Sequence, residues 1–439
     1  MSSRTEPISI RIAEPTLVNV PPDVARPGWM DMLLFYGLFG LIAFAIVAFG
    51  AIEPWSTFMF ESGALLLFVL WTLKHLASER LSLQWNPLYP AFTIMAAVVA
   101  LQLGFGWTAY GEATLQHALK YLAYIFLVIV ANDCLRYITL VHRLGTLLAF
   151  FGFALACVSL AQDATHSSNL LFIGPPAGTG WSYGPYADHN HYAGVMDMLA
   201  PFPLTLAMAH YLRGYLRALL GTAAAVMVAT IFLSGSRIGM VAFFAQAAFL
   251  ALVFARGRQH RRKVAIAAVF VFSFLAALFA FGKGFTLHRW ASLRDVIETQ
   301  TAGPRILLLK DSRGMLLERP AMGWGLGTFQ YVYPQFRSFY TNDVIEHAHN
   351  EYLELLLETG FVGFAGVLWF VLVLLHTGWK KLPHWKTNLT GTIKIAAMAA
   401  CVAVLVQASL DFNLQITAIT ALFFVLSTMV VAQSREDMP

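Results

Sequence analysis

Residues 351–376 read EYLELLLETGFVGFAGVLWFVLVLLH, with three glutamates at spacings of three and four and then eighteen positions without a charge. A bilayer core is about 30 Å thick and needs about 20 apolar residues per helical crossing, so this run predicts a membrane-spanning helix with a polar entrance. Further apolar runs recur at 32–50, 56–74, 89–105, 118–131, 143–161, 191–211, 215–233, 238–255, 264–281, 391–409 and 413–432. The fold class they predict is an all-α, polytopic integral membrane protein of about twelve transmembrane helices. Pro201 and Pro203 predict a kink or partial re-entry in the run 191–211.

Composition points the same way. Of 439 residues, 58% are hydrophobic and 12% charged, whereas a soluble chain carries about a quarter charged residues. That excludes a soluble enzyme and a disordered protein. Cys134, Cys157 and Cys401 are scattered in or beside apolar runs, and imply neither a disulfide framework nor a cysteine metal site.

Orientation follows from the lysines and arginines between the runs. With the N-terminus counted as inside, the inner loops carry Lys74, Arg136, Arg213, the basic run 256–263 and Lys380, whereas the short outer connections carry almost none, Arg237 excepted. Both termini are therefore expected in the cytoplasm. The net charge of +5 is a topology signal, not a nucleic-acid footprint. The polar first segment lacks a basic region leading into a short apolar core, and reads as a tail instead of a cleaved signal peptide. The expected organisation is a cytoplasmic tail (1–30), an N-terminal transmembrane bundle (31–282), an outer segment with an interfacial helix (283–350), and C-terminal transmembrane helices with a short cytoplasmic tail (351–439). The interfacial helix is expected over 305–318, where apolar residues alternate with Lys310, Asp311 and Arg313 and Pro320 closes the segment.

Charges kept near membrane spans need a reason, because each costs about 2.5–3.5 kcal/mol at membrane depth. Four outer segments stand out. Ser234 to Gly239 places Arg237 at the start of a span, either as an anion-binding group or as a snorkelling arginine. Arg305 opens the interfacial helix, where a guanidinium and helix amides both suit phosphate oxygens; alone it is an ordinary loop arginine. His347 and His349 precede Glu351, Glu354 and Glu358, which share one helix face. An imidazole there can take a proton from a hydroxyl nucleophile, and the acids either orient it, balance arginines, or simply favour the helix start. Tyr186 to Gly194 adds His189 and His191. Four histidines raise a zinc site, but neither His-x-His pair has one-face helical spacing and there is no HExxH, so a sugar-facing rim is the preferred reading. The glycines of Gly323 to Gly327 read as turn or close-packing positions, since no strand precedes them and no lysine-serine follows.

This arrangement resembles the O-antigen ligase and polymerase superfamily of bacterial polyprenol-dependent glycan transferases. The resemblance covers most of the chain and rests on four segments in order: Asn190 to Gly194, Ser-x-Ser-Arg-x-Gly at 234–239, Pro320 to Phe329, and His349-Asn350 followed after nine residues by Gly360-x-x-Gly363. Each is weak alone; together they are specific at superfamily level. The resemblance implies a GT-C-like protein of the bacterial inner membrane, its active site facing the periplasm and its 283–350 segment periplasmic. It implies a metal-independent inverting glycosyltransferase with no cofactor and an undecaprenyl-diphosphate-linked glycan as donor. Arg237 and Arg305 would bind the diphosphate, and His349 would be the general base. His347, His189, His191 and Glu351 would contact or support the acceptor, a lipid A core hydroxyl in a ligase or a second lipid-linked repeat in an O-antigen or exopolysaccharide polymerase. The spacing from His349 to Gly360 fits the ligase signature, while the two histidines of 186–194 exceed the generic pattern. A secondary transporter also has twelve spans with both ends inside, but it favours midplane charges and repeated halves, and neither is visible here.

Overall fold

A computed structural model of the chain describes residues 27–77, 83–165, 169–172, 182–209, 211–255, 302–340, 344–385 and 388–432. The expected span at 264–281, the segment 283–301, the N-terminal tail up to residue 26 and the last seven residues lie outside the described residues. The helices, in chain order, are α1 (Trp29–Val47), α2 (Pro54–Ala77), α3 (Tyr89–Gly104), α4 (Gly111–Cys134), α5 (Ile138–Ala164), α6 (His189–Leu199), α7 (Pro201–Met208), α8 (Gly214–Leu233), α9 (Arg237–Ala255), α10 (Ala302–Glu318), α11 (Phe329–Val332), α12 (Glu351–Trp385), α13 (Leu389–Ala408) and α14 (Thr417–Val431). Among the described residues there is no strand.

Eight of these helices are long and apolar enough to cross a membrane, and α3 and α14 are shorter apolar helices. The expected count of twelve is thus not confirmed among the described residues, which leave out the span at 264–281. The run 191–211 is divided at Ala200 into α6 and α7, with Pro201 opening the second, as the two prolines predict. α4 extends seven residues upstream of its apolar run, through Glu112 and His117. α14 starts later than its run because Asn413–Gln415 forms a 3-10 turn.

Large apolar side chains such as Phe58, Leu66 and Phe150 stay exposed on the outside of the bundle. Helices apolar on every face yet only partly covered are those of a protein solvated by lipid, and the chain is a multi-pass membrane protein. α13 is the central helix, with 78% of its spanning window buried against 28–44% in the other seven long helices. Its alanines at 396, 397, 399, 400 and 403 are buried and let neighbouring backbones approach closely, which is how helices gain packing energy where lipid removes the hydrophobic drive.

The ends of the bundle differ in chemistry. At one end Lys74 lies 2.5 Å from both Asp31 and Asp133, with Arg136 at 3.4 Å from Asp133, tying α1 and α2 to the end of α4. Removing the cation leaves two buried carboxylates facing each other. Lys74→Met is therefore expected to cost about 3–5 kcal/mol of stability, read as a lower thermal midpoint in detergent. Adding Asp31→Asn and Asp133→Asn should recover much of the loss; an unchanged midpoint in Lys74→Met alone would show that the cluster contributes nothing. The opposite end carries the loop after α5, the starts of α6, α9 and α12, and the α13–α14 connection.

Candidate functional site

The chain enters α12 through a fixed bend. Asn350 caps the helix by accepting the Leu353 amide (3.0 Å), and its own amide donates to the Ser409 carbonyl (3.0 Å). His349, just before the cap, has φ of 51°, a left-handed conformation uncommon outside glycine and tolerated better by His than by branched residues. Its Nδ1 lies 3.3 Å from Asp411 Oδ1, and the histidine side chain is 37% exposed against 1% for the aspartate. The buried acid thus sits behind a ring that remains accessible.

Asp411 lies outside the spans, in the α13–α14 connection. Burial works against its ionisation, but the hydrogen bond from His349, the proximity of His191 and the Phe412 amide outweigh that and hold the carboxyl below its ordinary range. A charged carboxylate there accepts the Nδ1 proton of His349 and leaves Nε2 as the basic nitrogen.

The same connection gathers the other segments. Phe412 stacks on His347 (centroids 4.6 Å apart, 20° between planes) and meets His349 and His191 edge-on at 5.1 and 5.3 Å. Asn413 Oδ1 bonds His191 Nδ1 at 2.7 Å. Gln415 donates to Glu351 (3.1 Å) and Glu354 (3.3 Å). Three of the four expected histidines therefore surround one aromatic ring. His189, the first residue of α6, lies 3.5 Å from Asp188, whose side chain caps that helix by accepting the Asn190 amide.

Arg237 is the first residue of α9 and half-buried. The Ser236 hydroxyl beside it donates to Asn190 Oδ1 (2.7 Å), joining the Ser-x-Ser-Arg turn to the histidine-bearing start of α6. Arg305 lies on the first turn of α10, with its side chain outside the described residues. α10 covers the predicted helix 305–318 and packs against α12, with Leu308, Ser312 and Met315 buried.

The three glutamates share one buried face, as their spacing predicts, and do different things. Glu354 bonds His347 Nδ1 at 2.8 Å and accepts the Ala348 amide at 2.7 Å. Glu358 accepts the Phe329 amide at the start of α11 (3.0 Å). Glu351 accepts from Gln415. Of the acids of α12, Glu354 thus orients His347, and the acid paired with His349 is Asp411.

Gly323 to Gly327 is a docking loop. Gly360 takes φ 64° and ψ −172°, open only to glycine, and an added Cβ would lie 2.2 Å from the Ala321 carbonyl. This bend lets the Trp324 and Gly325 amides donate to the carbonyls of Leu357 and Glu358. Gln102 on α3, buried and unremarked in the sequence, bridges the Met322 and Glu358 carbonyls through Nε2 and the Leu326 amide through Oε1. Among the described residues, no group of three His, Cys, Asp or Glu is placed to hold a metal.

The fold and this polar face define a multi-pass membrane protein with an accessible imidazole–carboxylate pair at one end of its bundle. The O-antigen ligase family model matches residues 222–368, about a third of the chain, from α8 to the first half of α12. The match includes Arg237, Arg305, His347, His349 and Glu351, and it supports the O-antigen ligase and polymerase superfamily, whose members are glycosyltransferase-like enzymes. No curated protein matches the chain.

Proposed function

We propose that the chain is an O-antigen ligase that moves a glycan from undecaprenyl diphosphate to a hydroxyl of the lipid A core oligosaccharide, at the periplasmic face of the bacterial inner membrane. The observation that carries this reading is the His349–Asp411 pair, beside segments that bring His191 and His347 to the same aromatic ring. Asp411 fixes the ring so that Nε2 receives the proton of the acceptor hydroxyl as its oxygen attacks the anomeric carbon. The bond from that carbon to the diphosphate oxygen breaks with inversion, and its electron pair leaves with the lipid diphosphate. Arg237 and Arg305 stabilise the charge that grows on the leaving group. None of these steps assigns a role to a metal or cofactor.

Two features support transfer over transport: the accessible His349–Asp411 pair stands with His191 and His347 at one end of the bundle, and the family match spans both arginines and His349. Arg237→Ala is expected to lower transfer about 10²- to 10³-fold, and Arg237→Lys less, because lysine keeps the charge but loses the paired donors. Full activity in Arg237→Ala would remove the diphosphate role. The ligase reading is tested by offering the purified chain an undecaprenyl-diphosphate-linked glycan together with a lipid A core acceptor. One glycan on the core is the expected product. A ladder growing on the lipid carrier with the core untouched would make the chain a polymerase.

A further inference from the structure

Asp197 lies on α6, six residues and about 9 Å along the helix from His191. It is fully buried, and none of the groups discussed above contacts it directly. A chain of side-chain hydrogen bonds nevertheless joins it to the histidine face. Gln407 Nε2 donates to Asp197 Oδ2 at 2.6 Å, Asn413 Nδ2 donates to Gln407 Oε1 at 2.7 Å, and Asn413 Oδ1 faces His191 Nδ1 at 2.7 Å. Gln407 and Asn413 are each 1% exposed or less. The space for the crossing exists because residue 194 of α6 is glycine: a Cβ there would lie 2.8 Å from Gln407 Oε1 and 3.1 Å from Asn413 Nδ2.

Every link runs in one direction. An amide oxygen only accepts and an amide nitrogen only donates. Asn413 can therefore present its oxygen to His191 only while its nitrogen points at Gln407, and Gln407 can accept that proton only while its own nitrogen points at Asp197. The carboxyl oxygen at the end accepts. A neutral histidine that donates from Nδ1 leaves Nε2 as its acceptor, and His191 Nε2 has no hydrogen-bond partner among the described residues. Reversal would require both amides to turn over and Asp197 Oδ2 to carry a proton and donate it, whereas in the structure Oδ2 accepts from Gln407.

We propose that Asp197 is a positioning residue: through Gln407 and Asn413 it holds His191 in the Nδ1–H form and turns a hydrogen-bond-accepting Nε2 toward the histidine face. A sugar hydroxyl is the ligand class such a nitrogen takes. That last assignment rests on the proposed glycan transfer, whereas the tautomer does not.

The test is nitrogen NMR of the full chain labelled with ¹⁵N-histidine in lipid nanodiscs, with the His191 signals identified by their loss in His191→Gln. The wild-type chain is expected to show His191 as the Nδ1–H tautomer. Asp197→Asn keeps the shape but can donate, so about half or more of the His191 signal should move to the Nε2–H form. Gln407→Leu breaks the chain while leaving Asp197 in place and should release the ring in the same way. A wild-type His191 in the Nε2–H form, or a His191 that stays Nδ1–H in Asp197→Asn, would overturn the proposal, the second result even if Gln407→Leu shifted it. The readout needs no turnover, so a chain with the expected tautomer and no glycan transfer would refute the proposed function alone.

Discussion

Replacing His349 by alanine is expected to lower glycan transfer by about 10²- to 10⁴-fold, the range a positioned general base contributes, while binding of the lipid-linked donor stays close to wild type. The separation follows from where the groups sit. The 37% exposed His349 ring is backed by Asp411, whereas the arginines assigned to the diphosphate belong to α9 and α10. Transfer rate and donor affinity, measured on the same preparation, check it. Loss of donor binding with His349→Ala would move His349 to the donor side of the site. Undiminished transfer would remove it from the chemistry.

Asp411→Asn is expected to have an effect of comparable size, about 10²- to 10⁴-fold on transfer, because an amide in place of an orienting carboxylate can offer its nitrogen to Nδ1 and hold the ring in the wrong tautomer. The substitution barely changes shape, so the folded state should survive at neutral pH. The carboxyl of Asp411 titrates below its ordinary value of 3.8 in the folded chain. Its contribution to stability is therefore complete above the unfolded-state value and is lost as pH falls through the lower folded one. The wild-type thermal midpoint should accordingly decline below about pH 4, and Asp411→Asn should lack that part of the decline. Equal transfer by Asp411→Asn and wild type would show that the carboxylate does not orient the base.

The helices were legible where a long apolar run met polar ends, as in α12, and the break between α6 and α7 was legible in Pro201 and Pro203. Boundaries were lost where polar residues belong to the helix, as with Glu112 and His117 in α4, or where apolar neighbours hid a turn, as at Asn413–Gln415. That second loss concealed much of the site. Counting 413 onward as a span absorbed Asn413 and Gln415, and Asp411 became one acid in a short connection. Its pairing with His349 links positions 62 residues apart, a distance over which helical periodicity carries no information. Asp197 and Gln102 escaped for a related reason: each is a single polar residue in an apolar run, and only the packed bundle reveals its partners. The histidines and Arg237 were legible because they stand at the polar ends of runs, where chain order alone places them on a common face.

The most direct measurement is the release of unsubstituted undecaprenyl diphosphate when the purified chain in proteoliposomes meets a lipid-linked glycan and an acceptor. Ligase and polymerase both produce it, one molecule for each glycosidic bond formed, and a transporter does not. Release that depends on the acceptor and disappears in His349→Ala is the expected result. Glycan lipid crossing the bilayer with its diphosphate bond intact, at the same rate in wild type and His349→Ala, would contradict it.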